Sequence, residues 1–125
     1  MSYEARLKEL GVTLPDPPKP VANYVPVVRV GDLLFLSGVL PSRDGQLIMT
    51  GKLGQELTIE QGKEASRAAV LNGLSIIRHA AGSLDHVKQI VKMVGHIASA
   101  PGFTDQPQVL NGASDLLVSL FGDAG

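Results

Sequence analysis

The chain has 125 residues with 11 Lys+Arg against 12 Asp+Glu, a formal charge of −1, which bounds it to one domain around one core. It contains no Cys, so disulfide scaffolds, thiolate metal sites, iron–sulfur ligation and cysteine nucleophiles are excluded. Residues 1–62 carry 6 basic and 7 acidic groups and residues 63–125 carry 5 of each, too even a spread to hold a nucleic-acid backbone.

Accessible-surface scaling gives about 6,400 Å² for a folded monomer of this mass against about 19,000 Å² for the extended chain, so about two-thirds of the surface can be buried. Charges interrupt the apolar residues of the first ten positions, unlike the unbroken apolar run of a signal peptide. The longest apolar stretches, Val25–Val28 and Leu33–Leu36, are strand-sized and far short of a bilayer span. A cytoplasmic protein without a membrane partner is the expectation.

In chain order, Glu4–Leu10 places Leu7 and Leu10 three apart among charges, with Gly11 behind them as a stop, and predicts a short helix. Pro15, Pro17, Pro18 and Pro20 then fall within six residues. Each fixes φ and lacks an N–H, so this segment is read as an extended surface arm, and residues 1–23 as an appendage of a single domain, 1–125. The β-rich runs Val25–Val30 and Leu33–Ser37 are separated by Gly31-Asp32, the two-residue spacing of a hairpin. Gly38, Pro41 and Ser42–Gly45 mark a loop, and Gln46–Met49 a short strand.

Thr58-Ile-Glu-Gln61 fits a capping box and starts a helix. Ala65, Ala69, Gly73, Ile76, Ile77 and Ala80 form its stripe, and Gly82 its left-handed cap. Val87–Ala98 is apolar in both alternating sets and predicts a long strand buried over part of both faces. Thr104 or Asp105 caps a last helix with Pro107 in its first turn, an apolar face from Val109 to Phe121, and Gly122 as its end. The order β-β-(β)-α-β-α is that of an α+β domain. Its apolar strands form too small a sheet to close on itself, which leaves apolar surface for an interface.

Few side-chain patterns carry chemistry. His79, His86 and His96 lack the i, i+4 spacing of a metal site, and no metal is expected. His79 fits the negative end of a helix, and His96 is read as a hydrogen-bonded structural residue. Asp85-His86 has no nucleophile-elbow serine to complete a triad. Gly51-Lys-Leu-Gly54 and Ser37-Gly38 match neither nucleotide-binding glycine pattern. Gly38 can be a plain strand terminus, or it can let a small ligand approach backbone N–H groups at the end of the second strand.

The segment Val30-Gly-Asp-Leu-Leu-Phe-Leu-Ser-Gly-Val-Leu-Pro41 resembles the strand ending in Ser-Gly-x-x-Pro of the RidA/YjgF family, the reactive-intermediate deaminases also called endoribonuclease L-PSP. Tyr24 stands at the matching distance upstream. The likeness continues through Ala65–Gly82, Ile90-Val-Lys92, Phe103-Thr-Asp105 and Val109-Leu-Asn111, spanning about residues 22–122. The N-terminal helix, the prolines and Asn111–Asp115 resemble a longer subgroup of that family.

The resemblance implies a chorismate-mutase-like mixed sheet with two helices on one face, assembled as a homotrimer with clefts between subunits. It implies hydrolysis of enamines and imines of the 2-aminoacrylate type to a 2-keto acid and ammonia, without a cofactor. Tyr24, Ser37, Gly38 and Asn111 are the substrate-binding residues it suggests, with a small carboxylated metabolite as ligand. The arginine and glutamate that serve catalysis in the family follow the second helix, and this sequence has neither. The 125 residues are therefore read as part of a longer polypeptide, in preference to a natural truncation. A non-catalytic metabolite-binding trimer is the alternative function. An endoribonuclease ranks last, because no basic patch, aromatic stacking pair or histidine pair supports one.

Overall fold

The computed structural model describes residues 2–125. Among these residues three α-helices, α1 (Tyr3–Glu9), α2 (Ile59–Ala81) and α3 (Gln106–Phe121), combine with four short strands, β1 (Val27–Val30), β2 (Leu33–Leu36), β3 (Ser42–Arg43) and β4 (Gln46–Leu47). Local chemistry sets the ends. Ser2 accepts from the N–H of Ala5 and opens α1. Before α2, the Thr58 hydroxyl accepts from Gln61 N at 3.3 Å while the Gln61 side chain accepts from Thr58 N at 2.9 Å, completing the capping box. Gly82, at φ 85°, closes α2. Asp105 precedes α3 without a side-chain capping bond, Pro107 lies in its first turn, and Gly122 ends it.

Strands β1 and β2 pair antiparallel with Val27 opposite Leu36 and Val30 opposite Leu33. Gly31 alone takes positive φ in the turn, 58°, as a type II′ hairpin requires. Ser42–Gly45, read from the sequence as loop, is a second hairpin. Ser42 pairs with Leu47 and Arg43 with Gln46, and both turn residues, Asp44 and Gly45, have positive φ, the type I′ pattern.

The predicted strand at Val87–Ala98 does not form. Ile90 donates to Ala124 O at 2.7 Å, and Ala98 O accepts from Leu53 N at 2.8 Å in a parallel bridge between Leu53 and Ser99. No ladder runs between those two contacts. A strand exists only as half of a pair, so the alternation is present without its partner, and Val91 and Val94 stay exposed.

Helix α2 is the common platform. It packs along α3 and also touches β1, β2 and β3, whereas α3 reaches none of the strands. The approach of α2 to α3 is so close that a Cβ at Gly112 would overlap the Lys63 carbonyl oxygen. Ser66 then bridges the pair, its hydroxyl 2.7 Å from Val109 O. The core unites Leu7 of α1, Leu74 of α2, Leu84, and Leu116, Leu117, Leu120 and Phe121 of α3, with Tyr3 edge-on to Phe121 at 4.7 Å. No helix among the described residues is long and apolar enough to cross a membrane.

Two helical glycines give opposite expectations. Gly112→Ala must push the helices apart and is expected to destabilise by about 2 kcal/mol or more, even after the better helix propensity of Ala. At Gly73 an added methyl meets only Leu36 Cδ2 at 3.7 Å, so Gly73→Ala is expected to gain about 0.5–1 kcal/mol. Urea unfolding measures both.

Helix α1 is tied down by Glu4, whose carboxylate takes Arg78 Nη2 at 2.6 Å and Leu84 N at 3.0 Å. Partial burial opposes ionisation of Glu4, but the hydrogen bonds from Arg78 and Leu84 outweigh it and hold the carboxyl below its ordinary value of 4.5. A depressed folded-state pKa stabilises above the unfolded value and ceases to do so as pH falls through the folded one. Wild type is therefore expected to exceed Glu4→Gln by about 1 kcal/mol at neutral pH, the pair being partly exposed. The difference should shrink as pH falls below the unfolded value and vanish below the folded-state value, as read from thermal melts across pH.

Candidate functional site

Strand β2 runs out at Ser37. There the backbone N–H donates to Pro26 O at 2.9 Å and the hydroxyl donates to Val25 O at 2.6 Å. Both bonds reach the residues just before β1, so the end of β2 is tied across the hairpin. The hydroxyl proton is committed, and the oxygen lone pairs remain available.

Beyond Ser37 the chain leaves the ladder. Among the described residues, the N–H groups of Gly38, Val39 and Leu40 have no hydrogen-bond acceptor in the protein. A Cβ at Gly38 would meet nothing within 4 Å, so open space lies beside the backbone. Such a stretch can donate to an anionic or carbonyl oxygen.

The far end of this loop is held from α2. Asn72 is 3 % exposed, and its Nδ2 lies 3.0 Å from Leu40 O, 3.0 Å from Ser42 O and 3.2 Å from Ser42 Oγ. Carbonyl oxygens only accept, so the amide nitrogen must face them. Sequence reasoning passed over Asn72. The available signal was a polar residue between Leu71 and Gly73 on a helix whose neighbours are apolar or small, a position where an amide needs partners when buried. Ser75 was missed in the same way; its hydroxyl holds Pro15 O at 2.5 Å and docks the proline arm.

Tyr24 directly precedes the Val25 carbonyl that receives Ser37, and its ring is part-exposed. Tyr24, Ser37 and Gly38 therefore stand at one end of the β1–β2 hairpin. Asn111 does not join them within one chain. It is exposed on α3, within reach of the Ser114 hydroxyl at 3.2 Å, and it lines an open groove of about 440 Å³ between α2 and α3 with Lys63, Arg67 and Asp115. Leu36 of β2 approaches α2 at Gly73, and Leu40 and Ser42 reach it at Asn72, further along the helix than Lys63 and Arg67.

Of the histidines, His86 lies with Nδ1 2.6 Å from Ala81 O at the end of α2, and His79 occupies the last turn of that helix. His96 is exposed. No group of three potential metal-ligating side chains occurs among the described residues.

Residues 4–125 match the family model described as "YjgF/chorismate_mutase-like, putative endoribonuclease". Protein TCP17 of Trypanosoma cruzi is 45 % identical over 119 residues, covering 95 % of this chain and 74 % of that protein. A solved structure described as a "putative endoribonuclease" from Shewanella oneidensis has a TM-score of 0.95 at 36 % identity, with 99 % of this chain and 82 % of that one covered. The protein Atu1372 of Agrobacterium tumefaciens, described as of unknown function, gives a TM-score of 0.86 at 37 % identity, with 98 % and 76 % covered. This chain belongs to the YjgF/chorismate mutase-like family and has its α+β fold.

Proposed function

We propose that the chain binds a small carboxylated imine at the Ser37–Leu40 loop and hydrolyses it to a 2-keto acid and ammonia. For 2-aminoacrylate, protonation of the methylene carbon gives the imine, water adds at the C=N carbon, and ammonia leaves to give pyruvate. The observation that carries this reading is the run of three unpartnered backbone N–H groups, fixed at one end by the hairpin and at the other by Asn72. Pre-set donors of this kind suit a carboxylate, because they need no reorganisation when it arrives. In this reading Ser37 accepts from, and Tyr24 walls, the same ligand.

A second reading, binding without turnover, is favoured by one feature. The Ser37 hydroxyl gives its proton to a carbonyl, which cannot act as a base. Ammonia release from enzymatically generated 2-aminoacrylate separates the two. Acceleration supports hydrolysis, and there Ser37→Ala is expected to lower kcat/KM about tenfold, the equivalent of one hydrogen bond to a charged group. Pyruvate-induced shifts at Gly38–Leu40 without ammonia release support the binder, and absence of both rejects the site.

The assembly proposed for this function is a homotrimer. The chain exposes 8130 Å², about 1,700 Å² more than a compact monomer of this mass. That excess is comparable to two interfaces of about 800 Å² each per subunit. One face of β1–β2 supplies part of it, with Val28, Val30, Leu33 and Phe35 each about half exposed. Light scattering at micromolar concentration is expected to give three times 13.1 kDa; a monomer would defeat the assembly.

A further inference from the structure

We infer that Asn72 is a positioning residue for the ligand loop, an inference that rests on the reading of Ser37–Leu40 as the binding site. Asn72 contacts none of the N–H groups offered to the ligand; it holds the loop from behind, through the carbonyl oxygens of Leu40 and Ser42. Its single amide nitrogen spans two carbonyls on either side of Pro41, a residue with no N–H through which the loop could otherwise anchor itself. Leu40 O also accepts from Ser42 N at 2.8 Å, and Pro41 O accepts from Ile48 N at 3.0 Å. The carbonyls of this corner thus point into the protein scaffold and are all engaged, while the N–H groups just upstream are left without protein partners.

That asymmetry assigns Asn72 its role. Without it, Leu40 O and Ser42 O lose their buried donor, and the loop is held only at Ser37, through the Pro41 O–Ile48 N bond and through β3. The three free N–H groups then sample many arrangements, and a ligand must order them on binding, which lowers affinity. Helix α2 makes the tie rigid, because Gly73 and Leu74 beside Asn72 are buried and fix where the amide stands.

The test compares three variants by amide NMR, with pyruvate and 2-ketobutyrate as probes. Asn72→Ala is expected to shift and broaden Gly38–Leu40 in the free protein and to weaken binding tenfold or more. Asn72→Gln keeps the donor and is expected to recover part of the affinity. Ser75→Ala removes the neighbouring pin on the same helix and should lower stability while leaving the dissociation constant within about twofold. Because Asn72→Ala can fail to fold, Asn72→Gln against Ser75→Ala carries the comparison alone: a shift of the loop amides in the first and not in the second supports the role. Equal weakening in both means that Asn72 acts only through global stability and overturns the inference. If the wild-type loop amides ignore both probes, the binding-site reading fails, and loop disorder in Asn72→Ala then records a structural tie only.

Discussion

The contact of Gly112 with the Lys63 backbone sets the distance between α2 and α3, and the rest of the molecule is built on that spacing. Any side chain at Gly112 would hold the helices apart, and the Ser66–Val109 bond closes only at short range. With the helices this close, the leucines of α3 reach Leu74 and Leu84, and α1 lies over the end of the pair through Leu7 and Tyr3. Further along α2, the helix meets Leu36 of β2 at Gly73 and the corner after β2 at Asn72.

What α2 does for the irregular parts of the chain, it does with polar side chains. Ser66, Asn72 and Ser75 reach, in turn, α3, the corner after β2 and the proline arm. Such residues weaken an isolated helix by competing for its backbone. Paired, they have the reverse effect: Ser66 bonds a carbonyl of α3, while Asn72 and Ser75 satisfy carbonyls of the corner after β2 and of the proline arm, which have no helix to do so. No buried side-chain donor or acceptor among the described residues is left unpaired. The polar interior of this small domain is thus used to fix loops, one of which is the candidate site.

Much of this was legible in the sequence wherever the determinant is local. The capping box at Thr58 and Gln61, the Gly82 cap and the Gly31-Asp32 turn each depend on a few adjacent residues, and each stands where the sequence put it. The Asp44-Gly45 hairpin was equally local, a dipeptide that favours positive φ twice over, and was overlooked because its strands are two residues long. Val87–Ala98 misled for the opposite reason. Its pattern reports which faces can be buried, but pairing depends on a neighbour that periodicity does not reveal. At the candidate site, Tyr24, Ser37 and Gly38 came from hairpin geometry and family likeness. Asn111 was placed by likeness alone, and here it lines the α2–α3 groove, which none of the others enters. Asn72 stood out only as a polar residue among apolar and small ones, and its partners, 30 and 32 residues away in sequence, were not legible.

The proposed site depends on backbone donors that are held in place before any ligand arrives. A crystal grown with 2-ketobutyrate addresses this most directly. The ligand carboxylate is expected within about 3.2 Å of N–H groups between Gly38 and Leu40, with the loop unmoved from its ligand-free position. A carboxylate bound in the α2–α3 groove beside Asn111, or a loop that abandons Asn72 to receive it, would contradict the account.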